Sequence, residues 1–375
     1  MIYLDYSATT PMSEHALQVY TKVAKDYFGN ANSLHDYGET SNQLVTSSRS
    51  EIASLINGEP RGIYFTSGGS ESNYLSLLSL ISHAKEGKNH LITTQIEHPS
   101  VLNTFQLLEK QGFSISYVPV NEYGQVHLSD LKKLVNEKTI LVSIGHANAE
   151  LGTIQNIVEI GNFLFEKNIL FHSDCVQSFG KINIDVKQAK LTCITMSAHK
   201  IYGPKGVGSV YIDPSLHWKP VVPNGTHESG FRQGTLNVPG IAAFAVATRD
   251  RKRIMGEEAR RLKELQQKFL AEMNSKNIIL EGHPTLRLPH HLALRIKGIE
   301  GQYVMLECNR RGIAISTGSA CKVGETAPAN SMVATGKSQE EAYEFIRLTM
   351  GQSTTEAEIV KTVAALHDII QQFYS

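Results

Sequence analysis

Four short clusters hold the residues able to do chemistry. The run 313–321, Ile-Ala-Ile-Ser-Thr-Gly-Ser-Ala-Cys, ends in Cys321. A strand-like start followed by small residues gives that thiol a flexible carrier, and Lys322 beside it favours the thiolate. Cys175, Cys193 and Cys308 instead sit in apolar stretches, where cysteine behaves as a small buried hydrophobe. Ser197-Ala198-His199-Lys200 follows the apolar run 191–196. A lysine at the end of a buried strand is costly unless it is exposed, paired or covalently used. With a lowered pKa its amine becomes the nucleophile of Schiff-base chemistry. His172-Ser173-Asp174-Cys175-Val176-Gln177 closes another apolar run. Ser67-Gly68-Gly69-Ser70-Glu71-Ser72-Asn73 stands between a strand and a helix pattern, where glycines let a backbone approach an anion at a helix N-terminus. An ordinary tight turn explains that last run equally well. Taken together, an anion cradle, a lysine and a carboxylate at one crevice are what pyridoxal phosphate requires. The run 203–208, Gly-Pro-Lys-Gly-Val-Gly, precedes a strand and so disfavours NAD, and no Walker pattern is present.

These residues need a scaffold, and its pattern is visible. Apolar β-branched or aromatic runs at 62–67, 90–95, 114–120, 139–144, 169–173 and 191–196 read as strands. Helix-patterned stretches at 71–84, 99–110 and 157–167 lie between several of them. Such alternation indicates an α/β layer with a largely parallel sheet, and 206–212 reads as an added strand. Open sheets of this kind bind ligands at the carboxyl ends of their strands. The texture changes after Pro239: the charged stretch 241–274 reads as one or two exposed helices. Beyond it, strands at 291–297, 312–316 and 345–350 and a helix at 356–373, capped by Thr354 or Thr355, read as a second domain. The expected division is a large domain, 15–255, and a small domain, 1–14 plus 256–375, carrying the Cys321 loop.

Composition narrows the class. The chain has 375 residues, enough for about two domains. Lys+Arg and Asp+Glu both total 36, so no global basic field attracts nucleic acid or anionic lipid. Four cysteines without paired spacing argue against a disulfide framework. Met1-Ile2-Tyr3-Leu4-Asp5 does not read as a signal peptide, and no apolar run reaches membrane-spanning length. A soluble protein of a reducing cytoplasm is the expectation. His283, His290 and His291 lack metal-site spacing and read as surface or packing residues, as do His146 and His172 beside the crevice. Cys175 reads as an inert buried thiol, and the charge cluster 249–261 as a solvated helix.

At this point the chain resembles a cysteine desulfurase of the NifS/IscS type, within the class V aminotransferase family of fold-type-I pyridoxal-phosphate enzymes. The resemblance runs through Tyr3–Pro11, Gly29-Asn30, Phe65–Asn73, Glu97-His98, Asn148–Gln155 and Phe171–Gln177. It continues through Ser197–Gly208, Gly234-Thr235, Ser316–Cys321 and Arg347–Thr355. The block around Lys200 carries the cofactor family, and Gly318-Ser319-Ala320-Cys321 separates desulfurases from aminotransferases. The implied fold is a mostly parallel, seven-stranded-type sheet in a large domain, with a smaller α+β domain.

The resemblance also implies roles. Lys200 holds the cofactor and shuttles the Cα proton, Asp174 pairs with the pyridinium nitrogen, and Gln177 reaches the phenolic oxygen. His98 stacks on the ring and serves in proton transfer. Gly69, Ser70, Ser197 and His199 hold the phosphate, joined by Thr235 from the partner of a homodimer. Asn148 and Arg347 hold the substrate carboxylate, Asn148 also standing among the cofactor contacts. L-cysteine becomes L-alanine, leaving a persulfide on Cys321 for a sulfur acceptor. That acceptor is an iron–sulfur scaffold, a tRNA-thiolating enzyme or a client resembling quinolinate synthase. As a metal ligand, Cys321 would transiently share an iron–sulfur cluster. No direct nucleic-acid or membrane partner is implied. Ser70 stands where many relatives have Thr, Ala149 replaces the middle of the usual Asn-Asn-Glu, and 223–228 replaces a more glycine-rich turn. Two other readings stay open: an aminotransferase or selenocysteine-lyase-like activity in which Cys321 is dispensable, and a sulfur-delivery module that mainly docks an acceptor.

Overall fold

The computed structural model describes residues 1–82, 87–273, 275–318 and 328–375. It begins with a short strand, β1 (Ile2–Tyr3), and two helices, α1 (Glu14–Asp26) and α2 (Asp36–Leu55). An alternating stretch follows: β2 (Ile63–Thr66), α3 (Gly69–Ile81), β3 (His90–Thr94), α4 (Pro99–Lys110) and β4 (Ser114–Val118). Next come α5 (Leu128–Leu134), β5 (Thr139–Ser143), α6 (Ile157–Glu166), β6 (Leu170–Asp174), β7 (Cys193–Ser197) and β8 (Gly208–Ile212). Strands β2 to β8 form one seven-stranded sheet in the order β2-β8-β7-β6-β5-β3-β4. Only β8 runs against the direction of the other six strands. The expected strands are therefore present, most trimmed by a residue or two and β6 and β7 ending one residue later than expected, and the run at 206–212 is the antiparallel addition.

The sheet is covered on both faces, which explains its nearly unbroken apolar strands. Alternate residues feed opposite cores: Leu91, Leu141 and Cys193 pack on one face, Ile92, Val142 and Ile194 on the other. The helix expected at 71–84 starts at Gly69 and ends at Ile81, with Ser82 as its C-cap; the expected residues 83 and 84 lie outside the described residues.

After the sheet, a single 35-residue helix, α7 (Val238–Glu272), occupies the charged stretch. It spans about 52 Å and is not merely a solvated face. Its first half packs Ile241 and Phe244 into the large-sheet core, and its second half packs Leu262, Leu265 and Phe269 into another. Within the supposedly solvated cluster, Arg251 and Glu258 are buried.

That second core belongs to β9 (Ile278–Leu280), β10 (His291–Ile296), α8 (Gly301–Arg310), β11 (Ile313–Ala314), β12 (Phe345–Thr349) and α11 (Glu356–Tyr374). The short helices α9 (Asn330–Ala334) and α10 (Gln339–Tyr343) pack Met332 and Ala342 into a smaller cluster with Leu151 and Phe345. An antiparallel sheet of order β12-β10-β9 lies at the centre of the second core. Thr355, of the two candidate threonines, caps α11 in a capping box with Glu358. The N-terminus is woven into this part: β1 pairs in parallel with β11, and Ser7 N–H donates to Thr349 Oγ1 at 2.9 Å. No helix among the described residues is long and apolar enough to cross a membrane.

Candidate active site

The carboxyl ends of the parallel strands meet at a cavity of about 450 Å³. Asp174 ends β6, and Ser197 ends the adjacent β7. A 3₁₀ turn, Ala198–Lys200, follows β7 directly, so Lys200 joins the same lining. Its Nζ donates to the carbonyl oxygens of Ser7 and, at 2.8 Å, Ala8. Gly69, Ser70, His98, Asn148, Asp174, Gln177, Ser197, His199, Lys200 and Arg347 all line this cavity. Thr235 does not: it lies on the surface, just before α7. Cys321 lies outside the described residues, but Gly318 before it and Asn330 and Ser331 after it line the cavity.

The anion cradle rests on backbone geometry. Gly68 has φ 153°, a conformation for glycine, and offers no side-chain cap to α3. The first N–H groups of that helix are therefore not covered by their own cap. A Cβ on Gly69 would stand 2.8 Å from Val176 Cγ2. Ser197 Oγ and Gln177 Oε1 are buried at this cavity without a hydrogen-bond partner among the described residues. Such atoms are rare unless a ligand or water meets them. Burial, reinforced by Lys200, Lys205 and Lys181, lowers His199 to about 4, so its neutral ring can still donate one N–H. A phosphorylated aromatic ring with a pyridine nitrogen fits this donor set, with Asp174 as its acidic partner.

Asp174 is held by a network that sequence reasoning missed. Asn73 Nδ2 donates to Asp174 Oδ2 at 2.8 Å and to Ser100 Oγ at 2.9 Å, while its Oδ1 accepts from Thr195 Oγ1 at 2.6 Å. Ser100 Oγ lies 2.8 Å from His98 Nδ1, which also accepts from Ser100 N–H at 3.1 Å. With Nδ1 accepting, the proton of neutral His98 sits on Nε2. His98 is open to the cavity yet enclosed by protein around it, and burial lowers its pKa despite Asp174.

Glu97 is a second missed residue. It lines the cavity, and burial raises its carboxyl to about 7, although Gly145 N–H and Thr94 Oγ1 donate to it. Its sequence signal was only its place beside His98.

On the opposite strand system, Arg347 Nη2 meets Asp5 Oδ1 at 2.8 Å and Nη1 donates to Ala149 O at 3.1 Å. Its Nε is buried without a partner among the described residues. Asn148 is more heavily used by the protein itself: Nδ2 donates to Ile96 O at 2.8 Å, and Oδ1 accepts from Glu150 and Leu151 N–H. The backbone carbonyl of Ala149, present whatever its side chain, also meets His291 Nε2 at 3.1 Å. His290 and His291 are packing residues, both fully enclosed. Burial lowers His146 and His172 to about 4 and pushes the Cys175 thiol up to about 12. Among the described residues no group of three His, Cys, Asp or Glu side chains is placed to hold a metal.

This fold and cavity define an α/β enzyme built to carry a phosphorylated cofactor at the edge of its sheet. The aminotransferase class-V family profile matches residues 2–361. The chain is 46% identical over 373 residues to a putative cysteine desulfurase NifS of Halalkalibacterium halodurans, covering 99% of each. It is 37% identical over 377 residues to cysteine desulfurase IscS 1 of Archaeoglobus fulgidus, covering 100% of this chain and 98% of that one. Among solved structures, a NifS-like protein matches with TM-score 0.92 and 31% identity over 99% of both chains. A structure described as SspA in complex with cysteine matches with TM-score 0.82 and 32% identity, over 93% of this chain and 99% of that one. The chain belongs to the class-V aminotransferase family. Cysteine desulfurases of this family are pyridoxal-phosphate enzymes, and the cavity's residues fit that group.

Proposed function

We propose that this chain is a pyridoxal-phosphate-dependent cysteine desulfurase that converts L-cysteine to L-alanine and collects the sulfur on Cys321. One observation carries the reading: residues on both sides of the Cys321 segment line the same cavity as Lys200. The names of the chain's relatives support the choice of cysteine as substrate.

Bound pyridoxal phosphate would supply an electron sink for charge developed at the substrate Cα. Lys200 Nζ would hold it covalently and then move the Cα proton. Asp174, fixed by Asn73 and by Val176 N–H at 2.9 Å, would keep a proton on the pyridine nitrogen. Gly69, Ser70, Ser197 and His199 would take the phosphate, Gln177 the phenolic oxygen, and His98 one face of the ring. Arg347 and Asn148 would orient the substrate carboxylate, Arg347 through a charge-assisted contact. The Cys321 thiolate then attacks the substrate sulfur: an S–S bond forms as the C–S bond breaks. The electron pair stays with the substrate carbon, which takes a proton on the way to alanine. No external oxidant or reductant is needed.

The chain acts as a cytoplasmic homodimer, with Thr235 entering the partner's phosphate site. Its persulfide passes to an iron–sulfur scaffold, a tRNA-thiolating enzyme or a client resembling quinolinate synthase, and a shared cluster would be cargo on Cys321. We also propose a large domain at 15–255 and a small domain at 1–14 plus 256–375. Separate apolar cores support it, although α7 runs unbroken across residue 255. The test is mass spectrometry of the chain after incubation with cysteine. A mass gain of one sulfur on Cys321, with alanine released, is expected. Cys321→Ala should keep the cofactor and lose the persulfide; full sulfur transfer by that variant would sink the proposal.

A further inference from the structure

Behind Lys200 lies a second, much smaller cavity of about 20 Å³. Lys181, Lys200, Tyr202, Arg251, Glu258 and His290 all contribute to its wall. Its size admits about one water molecule or one monatomic ion. The charges around it do not balance. Lys181 Nζ and Arg251 Nη1 are buried without a hydrogen-bond partner among the described residues. Arg251 Nε donates to Gly180 O at 2.9 Å, and its guanidinium sits 5.6 Å from the Tyr202 ring centroid. Neither contact supplies negative charge. The one carboxylate in the wall, Glu258, is gripped by Arg261, which donates from Nε at 2.9 Å and from Nη2 at 3.0 Å.

The other titratable groups here cannot serve as counter-charge. Burial pushes the Tyr202 phenol up to about 12, so it stays protonated. Burial and the neighbouring cations hold His290 well below the ordinary imidazole value, so it stays neutral. Burial, then Lys200 and Arg251, drive Lys181 well below the ordinary amine value. Releasing that proton would relieve one charge but leave Arg251, which keeps its own at any working pH. An uncompensated buried cation is strongly unfavourable, and so is a buried donor without an acceptor. A water could accept from both donors but would bring no charge. A single anion does both.

We propose that this cavity binds one small monovalent anion of halide size, held between Lys181 and Arg251 behind Lys200. Such an ion would set the electrostatic potential felt by Lys200 and His199 from the side away from substrate. The proposal does not depend on the desulfurase reading.

The holoenzyme provides the test, with chloride replacing gluconate at constant ionic strength. We expect a saturable rise in Tm of about 2 °C at tenfold excess over Kd, absent in Lys181→Met. Crystals grown in bromide should show an anomalous peak in the cavity, a readout that needs no variant to fold. No chloride-specific rise in the unaltered protein, an equal rise in Lys181→Met, or a cavity that holds water and no anomalous scatterer would each overturn the proposal.

Discussion

Glu97 is held in place by Thr94 and Gly145, yet it sits where an ionised carboxylate is disfavoured. Its pKa rises from 4.5 to about 7, chiefly through burial. Between those values the folded chain keeps a proton that the unfolded chain releases. Stability therefore falls as pH climbs through the window, by about 3 kcal/mol in all. Glu97→Gln, which mimics the protonated acid, should flatten the dependence. Chemical denaturation at pH 5 and pH 8 checks this: the variant should lose clearly less stability than the parent between the two. An equal loss would show that Glu97 is not the titrating group. Lys200 and Asp174 could be read from the sequence because each directly follows or ends an apolar strand, so local order alone puts them at the sheet's edge. Asn73 could not, because what it holds comes from far along the chain. Asn73 reaches Asp174 across 101 positions and Thr195 across 122. Lys181 and Arg251 were missed for the opposite reason: charged residues are ordinarily solvated, and only the fold buries them.

Among the elements, the strands were legible because burial on both faces demands unbroken apolar runs. The first helices were not. In α2 the buried positions include Gly38, Ser41, Val45, Ser48 and Ile52, spaced three or four apart but made largely of small residues. That face permits close packing between helices while leaving no apolar stripe in the sequence. The long helix α7 was seen as charged and therefore as exposed, whereas its cations and carboxylates partly turn inward. Its midpoint also carries a weakness. Gly256 is exposed, lies inside the helix, and has open space where a Cβ would stand. Gly256→Ala should stabilise the chain by about 1 kcal/mol through reduced backbone freedom in the unfolded state. A urea titration with unchanged slope and a higher midpoint is the expected result. A lower midpoint would mean that the helix needs flexibility at this position.

For the whole molecule, the position of Thr235 is the sharpest issue. It is on the surface of its own chain and away from its own cavity, so a phosphate contact requires a second copy. Mixed dimers can decide it. Lys200→Ala and Thr235→Ala chains should each be impaired alone, the first completely. Unfolded and refolded together, they should regain partial desulfurase activity, because one site of each hybrid then has both residues intact. Failure to complement, with dimers verified by light scattering, would remove Thr235 from the shared site.

The weaving of the first strand against β11, with Asp5 reaching Arg347 across 342 positions, bears on how the protein is made. A ribosome that has released the large sheet has not yet synthesised the strands that hold the N-terminal segment. That segment supplies the Ser7 and Ala8 carbonyls to Lys200. The site is therefore completed only after β11 and β12 have been made, and the nascent chain must wait until then with the segment 2–8 unpaired. A pause on the message anywhere between that segment and β12 would prolong the exposure, while one after β12 would not.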